Sequence, residues 1–484
     1  MLLDILKIKM KKLRTNFLYN SIFQILTLIV PLITTPYVAR VLGASNLGIF
    51  AYTNANINYF TIVASLGFNL YAQNEIAKVR DNQIALSRVF STVLFTRIIY
   101  SMIIFLVFII FNVFVFKSYS ILYWILSLQI LGVAFDVSWL FMGLEEFKKI
   151  SIRNLVVKII NTFLIFVLVR SKNDLLIYAG ILMVGMVISN LIIWPDVKKY
   201  VLSFEMDTSA FSGIFFASLI LFLPTSAITV YTDIIRTFLG IVTTKRYVAF
   251  YVQADMLIKV IFSLITSLGT VIMPHVSNLI SKGNFIQVKK LISKSFFIMT
   301  LTSLPITVLV FALSDNFIRL FLGNNFLPTS QLLKINAISI IFSAWANVLG
   351  IQYLLPIGRV KDYTLSITLP ALSIFVTAPI FFKLFGIAGV MYSIVLIQIS
   401  VFIIELIYLR NELEICSLFA YFPKMLINSI LMYFSIIIFL NLTKIHSDFF
   451  SILMGGTVGI VLYMLGYFLI EKKRKKVEKV EDML

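Results

Sequence analysis

From Asn16 to Ile470 the chain is a nearly unbroken series of apolar stretches, each about 20 residues or longer, separated by short polar breaks. A helix of that length crosses the hydrocarbon core of a bilayer. Backbone polar groups in lipid must be satisfied within the segment, so an all-α, polytopic integral membrane protein is expected. About fourteen transmembrane helices are predicted, at 16–41, 47–70, 89–116, 119–143, 152–169, 174–194, 212–237, 247–273, 292–314, 333–355, 363–384, 386–409, 422–442 and 448–470. With 60% hydrophobic and 13% charged residues, the breaks leave no room for a soluble catalytic domain. The activity is expected within or across the bilayer, with no cofactor.

The net charge of +19 would suggest nucleic acid if the basic residues were clustered on a soluble surface. They concentrate instead in alternate breaks and in both tails. The positive-inside rule then predicts both termini in the cytoplasm, with membrane lipid and not nucleic acid as the partner. The run Lys472, Lys473, Arg474, Lys475 and Lys476 reads as a topological anchor on anionic lipid. Lys7, Lys9, Lys11, Lys12 and Arg14 precede an apolar run that contains Pro31 and Pro36 and lacks a small-residue cleavage pattern. That segment is therefore read as a retained first helix, not a signal peptide. Cys416 is the single cysteine, which excludes an intrachain disulfide, and His275 and His446 have no metal-ligand spacing. A Gly-rich phosphate loop is absent, so the chain is not expected to hydrolyse nucleotide itself.

A partial repeat recurs after about 200 residues. Arg40-Val41-Leu42-Gly43, Gly48-Ile49-Phe50, Ser65-Leu66-Gly67 and Arg80-Asp81-Asn82 have counterparts in the same order. These are Arg236-Thr237-Phe238-Leu239-Gly240, Ala249-Phe250-Tyr251, Ser267-Leu268-Gly269 and Lys282-Gly283-Asn284. The repeat maps helices 1 and 2 onto helices 7 and 8, which enter from the same face, so two parallel six-helix repeats are expected around a central cavity. The predicted divisions are a six-helix bundle at 1–210, a second at 211–410, two additional helices at 411–470 and a basic tail at 471–484. Pro31, Pro36 and Pro224 fall in the repeat-equivalent helices and are read as kinks near the interface of the halves.

Charges inside spans are expensive and therefore informative. Asp255 and Lys259 lie four apart on one face of helix 8, with Lys259 near the midplane; they form either a packing ion pair or a cation on the substrate path beside an ion-coupling carboxylate. The equivalent positions in helix 2 are Asn54 and Asn58, suggesting a second polar wall. Arg97 in helix 3 is assigned to the cavity, whereas Lys158 in helix 5 can snorkel to the interface. Arg40 and Arg236 end helices 1 and 7, the latter three residues after Asp233, as anchors or an outer gate. Asp136 in helix 4 needs a cation such as Arg97 or Lys158, as a structural pair or an ion-coupling site. Glu405 is read as interfacial.

Several of these segments resemble bacterial polysaccharide repeat-unit flippases of the Wzx type, in the multidrug/oligosaccharidyl-lipid/polysaccharide exporter superfamily. The resemblance rests on Thr35-Pro36-Tyr37-Val38-Ala39-Arg40-Val41-Leu42-Gly43 and on Gly67-Phe68-Asn69-Leu70-Tyr71. It rests further on Asp136-Val137-Ser138-Trp139-Leu140-Phe141-Met142-Gly143, closed by Ile152-Arg153-Asn154. It covers most of the chain and is looser after the first 160 residues. It implies two six-helix bundles around a cationic cavity, and a substrate that is an undecaprenyl-diphosphate-linked oligosaccharide for capsule or another surface polysaccharide. That substrate would move from the inner to the outer leaflet of the plasma membrane by alternating access. A polysaccharide polymerase and chain-length regulator are implied partners. Diphosphate contacts fall first to Lys259, then to Arg97 and Arg40 or Arg236, with Asp255 as ion-coupling candidate; these assignments come from position and charge. A cation-coupled multidrug exporter and a non-transporting scaffold for the polymerase are the alternatives.

Overall fold

The computed structural model describes the backbone of residues 2–481, and side chains except those of residues 1–28, 221, 223–228, 268, 270, 271 and 469–484. The basic N-terminal start, Pro224 and the lysine-rich tail lie outside the described side chains. Among the described residues every regular element is helical, as in-segment hydrogen bonding in an apolar solvent requires.

Helix α1 (Leu2–Ser65) carries the first two expected spans and is kinked at Gly43, where φ of 75° and ψ of 171° leave the helical region. Leu66 and Gly67, both at positive φ, turn the chain into α2 (Phe68–Val79). Asn82 starts α3 (Gln83–Phe114) by accepting from the amides of Ile84 and Ala85. The span expected at 119–143 is not continuous. It forms α4 (Ser120–Leu126), α5 (Leu128–Phe135) and α6 (Ser138–Gly143), broken at Asp136, whose ψ is 111°. Helices α7 (Phe147–Leu168), α8 (Leu175–Ile192) and the short α9 (Trp194–Val197) follow.

Next come α10 (Phe211–Val242), α11 (Lys245–Ser281), α12 (Phe285–Phe321) and α13 (Pro328–Ala346), which continues into a π-helical segment at Asn347–Leu354. α14 (Val360–Leu372) and α15 (Ile374–Phe385) make up the eleventh expected span, offset just after Pro370. The chain ends with α16 (Ile387–Leu409), α17 (Ile415–Leu418), α18 (Phe422–Thr443) and α19 (Asp448–Glu481). Among the described residues, ten helical segments are long and apolar enough to cross a bilayer, and two shorter apolar segments accompany them.

The chain forms two compact units, Met1–Ala249 and Phe250–Leu484. In the first, α10 packs against α1, α2 and α3. Close backbone approach explains that packing. A methyl group on Gly240 of α10 would stand 2.0 Å from the Tyr52 ring of α1, and one on Gly48 of α1 would stand 1.6 Å from the carbonyl oxygen of Lys245, which opens α11. The first unit buries Phe68, Phe90, Trp139 and Phe141 in one cluster and Ile57, Phe108, Tyr123 and Leu126 in another. In the second, Trp345 stacks on Phe296 and is flanked by Phe402, Phe419 and Phe422.

Candidate functional site

The break between α5 and α6 sets the chemistry of the first unit. Ending a helix inside an apolar layer frees a backbone carbonyl that lipid cannot satisfy. Arg97, on α3, meets this need: its Nη1 donates to the Asp136 carbonyl at 2.9 Å and to Asn69 Oδ1 at 2.7 Å. Trp139 Nε1 donates to the same carbonyl at 3.0 Å. The Asp136 carboxylate lies 3.7 Å from Arg97 Nη2, an ion pair too long for a hydrogen bond, and instead accepts from the Ser138 amide at 3.0 Å and from its hydroxyl. Arg97 is only 1% exposed. Arg97 thus bridges α2, α3 and the broken span, with the Asp136 carboxylate beside it.

Arg153, on α7, extends this network. Its Nη2 donates to Ser138 Oγ at 3.1 Å, and Nη2 and Nε both donate to Asn154 Oδ1, at 2.8 and 3.0 Å. Its Nη1 is buried with no hydrogen-bond partner. The sequence reading quoted Arg153 only within a motif. Its only signal in the sequence is an arginine in the second turn of a membrane-spanning helix. Lys158, one turn further on, is half-buried.

The polar stripe of the second span faces α10 within the same unit. Asn58 Nδ2 donates to Asp233 Oδ2 at 3.2 Å, and Arg236 Nη1 donates to Asp233 Oδ1 at 3.0 Å. Thr237 Oγ1 donates to Asn56 Oδ1 at 2.8 Å and accepts from Tyr59 at 3.2 Å. Asn54 turns to a different partner, accepting from Gln129 of α5 at 2.6 Å. Thus Asn58, Asp233 and Arg236 come together, whereas Asn54 pairs with Gln129, and Arg40 is exposed. Asp233 is fully buried and Arg236 partly open, so the carboxylate holds a cation at the edge of the bundle.

In the second unit, Lys259 Nζ stands 2.7 Å from Asp255 Oδ2, the i, i+4 contact expected on α11. The exposures are unequal: the lysine side chain is 51% exposed and the aspartate 10%. Lys259 is fourteen residues into its helix, about 21 Å along it. Asp255 therefore fixes an ammonium that stays open at span depth.

Glu405 is corrected from interfacial to buried. It is 1% exposed on α16, accepts from Ser366 Oγ at 3.2 Å and has a second oxygen without a partner. Gly350 of the π segment leaves room for it, since a methyl there would lie 2.5 Å from its Oε1. Nearby, Gln352 accepts from Ser295 at 2.6 Å and donates to Asn347 at 3.0 Å, a buried amide relay that the sequence reading missed. Just before α14, Arg359 ties the first turn of that helix to the segment after α16, pairing with Asp362 at 2.5 Å and Glu412 at 2.6 Å. The Asp362 hydrogen bond raises the Arg359 pKa, so this clamp is permanently charged.

Sequence and structure comparisons agree with this architecture. The family model described as polysaccharide biosynthesis protein matches residues 13–280, and the MatE model matches residues 221–380. A protein of Escherichia coli (strain K12) with the name "Putative O-antigen transporter" is 25% identical over 414 residues, covering 84% of this chain and 98% of that protein. A namesake from Shigella dysenteriae is 27% identical over 255 residues, covering 51% of this chain and 63% of that protein. Among solved structures, the lipid II flippase MurJ in an inward closed conformation superposes with a TM-score of 0.77 at 16% identity. That match covers 94% of this chain and 99% of the other. An inward-facing multidrug resistance MATE family transporter of the MOP superfamily gives 0.59 at 15% identity, covering 82% and 94%. The polysaccharide biosynthesis model spans more than half of the 484 residues, and the fold is that of the MOP-superfamily transporters: this chain belongs to the polysaccharide biosynthesis protein family.

Proposed function

We propose that this chain is a flippase that carries undecaprenyl-diphosphate-linked oligosaccharide repeat units from the inner to the outer leaflet of the bacterial plasma membrane by alternating access. The products would feed capsule or another surface polysaccharide, with both termini in the cytoplasm and the polymerase and chain-length regulator as partners. Family membership and a fold shared with a lipid flippase support the class of activity.

The observation that carries the reading is Lys259. A charge in the middle of a span costs at least about 2.5–3.5 kcal/mol when it faces lipid, so a half-exposed ammonium there belongs against water or an anion. A diphosphate entering low dielectric needs such a fixed cation, and charge-assisted hydrogen bonds to it are strong. Asp255 orients Lys259 and is the candidate for taking up a coupling cation. Arg236, held by Asp233, is the second phosphate candidate, with Arg40 behind it. In this reading Arg97, buried against the Asp136 carbonyl, serves the broken span and not the diphosphate.

The test replaces Lys259 with Ala and with Arg at equal membrane abundance. Loss of surface polysaccharide in Lys259→Ala, with recovery in Lys259→Arg, is expected. Normal polymer in Lys259→Ala would remove the residue from the substrate path. The MatE match at residues 221–380 favours a second reading, cation-coupled export of small drugs. Drug sensitivity of a deletion strain with intact surface polysaccharide would establish that reading instead. Failure of the reconstituted protein to move lipid-linked oligosaccharide would leave the scaffold role.

A further inference from the structure

Two depressions on the first unit join at Ile192. One, of about 490 Å³, is lined by Lys148, Lys149, Arg153 and Asp196 with apolar neighbours. The other, of about 340 Å³, runs between α7 and α8 past Ile160, Leu164, Val184, Ile188 and Gly180. It contains almost no polar surface, whereas the first brings together three basic side chains and one carboxylate. That carboxylate, Asp196, is paired with Lys199 outside the lining.

The basic end is built, not incidental. Arg153 is 9% exposed, its orientation is fixed by Ser138 and Asn154, and its Nη1 is a buried donor with no partner. The guanidinium keeps its positive charge at the wall of this pocket, where it attracts an oxygen anion across a short distance in low dielectric. Lys149 is positioned by Glu146 at 2.8 Å and by Tyr200 Oη at 3.1 Å. Tyr200 in turn donates to Glu146 Oε1 at 2.5 Å.

We propose that this groove is a binding site for one anionic phospholipid, with the phosphodiester at Lys148, Lys149 and Arg153 and an acyl chain lying between α7 and α8. The length of the groove selects this occupant. From Ile192 to Gly180 is twelve residues of α8, about 18 Å at 1.5 Å per residue. Half of a hydrocarbon core of about 30 Å is about 15 Å, so the groove accommodates a chain that spans one leaflet. A polyprenyl chain, several times longer, would leave most of its length outside. On the topology proposed above, the basic end faces the cytoplasmic leaflet, but the site does not depend on the transported substrate.

Native mass spectrometry of the full chain in detergent, titrated with phosphatidylglycerol, phosphatidylcholine or a polyprenyl phosphate, tests this. Retention of phosphatidylglycerol above phosphatidylcholine is expected, falling about fivefold for each charge removed in Lys148→Gln and Lys149→Gln. Gly180→Phe is the second probe. A Cβ there meets nothing within 4 Å and the position lines the groove, so the added ring should occupy it and reduce retention of both phospholipids. Equal retention of the two headgroups, unchanged phosphatidylglycerol binding in all three variants, or tighter binding of the polyprenyl phosphate would overturn the proposal.

Discussion

Replacing Arg97 with methionine tests whether this arginine holds the broken span together or serves the substrate. The side chain makes two short contacts, to a backbone carbonyl at 2.9 Å and an amide oxygen at 2.7 Å, both from a charged donor. Hydrogen bonds of that kind contribute about 1.5–3 kcal/mol each, and removing one partner of a buried charged group costs about 3–5 kcal/mol. Methionine fills part of the space but accepts none of the obligations, so a loss of about 3–5 kcal/mol is expected. At roughly 2–4 °C per kcal/mol for a unit of this size, the melting temperature should fall by on the order of 10 °C. Asp136→Asn should cost less, although it also removes the ionic partner. The short contact runs to the Asp136 main chain, which asparagine retains, and the amide oxygen can still accept from Ser138. The assay is intrinsic tryptophan fluorescence during thermal unfolding in detergent, with Trp139 bonded to the same carbonyl as a local reporter. A melting temperature within about 2 °C of wild type, together with lost transport, would refute the structural role and return Arg97 to the substrate path.

Gly48→Ala should lower folded yield sharply, because its methyl group would meet the Lys245 carbonyl oxygen at 1.6 Å and the backbone would have to move. Gly213→Ala, whose methyl meets nothing, is the control, and equal yields by size-exclusion chromatography would contradict the packing argument. Glu405→Gln should leave the melting temperature unchanged or raise it, since the amide oxygen keeps the Ser366 bond and no buried ionisable group remains. A fall above about 5 °C would mean that the carboxylate has a charged partner in the folded protein.

The expected span positions follow the helices closely because the signal is redundant. Twenty consecutive apolar residues exceed what a soluble core helix needs, and small errors at either end leave that signal intact. The i, i+4 pair of Asp255 and Lys259 was legible for the same local reason. Long-range partnerships were not. Asp136 called for a cation, but nothing in its spacing distinguished Arg97 from Lys158, or showed that its backbone carbonyl, rather than its carboxylate, makes the short contact. Glu405 lies four residues before the end of α16, where a carboxylate ordinarily reaches the interface; burial follows from the space beside Gly350 and the approach of Ser366. Arg153 is not singled out by its position, since a basic residue near a helix start normally snorkels, and its contacts with Ser138 and Asn154 are seen only in the fold.

The sequence by itself determined that this protein is a helical, multi-pass membrane protein and which few polar residues stand inside its spans. Those properties depend on hydropathy and on helical spacing, both local along the chain. The tertiary structure decided which of those residues are committed to one another and which remain open. Arg97 is consumed by a carbonyl that a broken helix releases, Asp233 holds Arg236 and Asn58 across α1 and α10, and Lys259 keeps half its surface exposed beside its aspartate. Such commitments depend on distances between helices remote in sequence, which the order of residues along one helix does not specify.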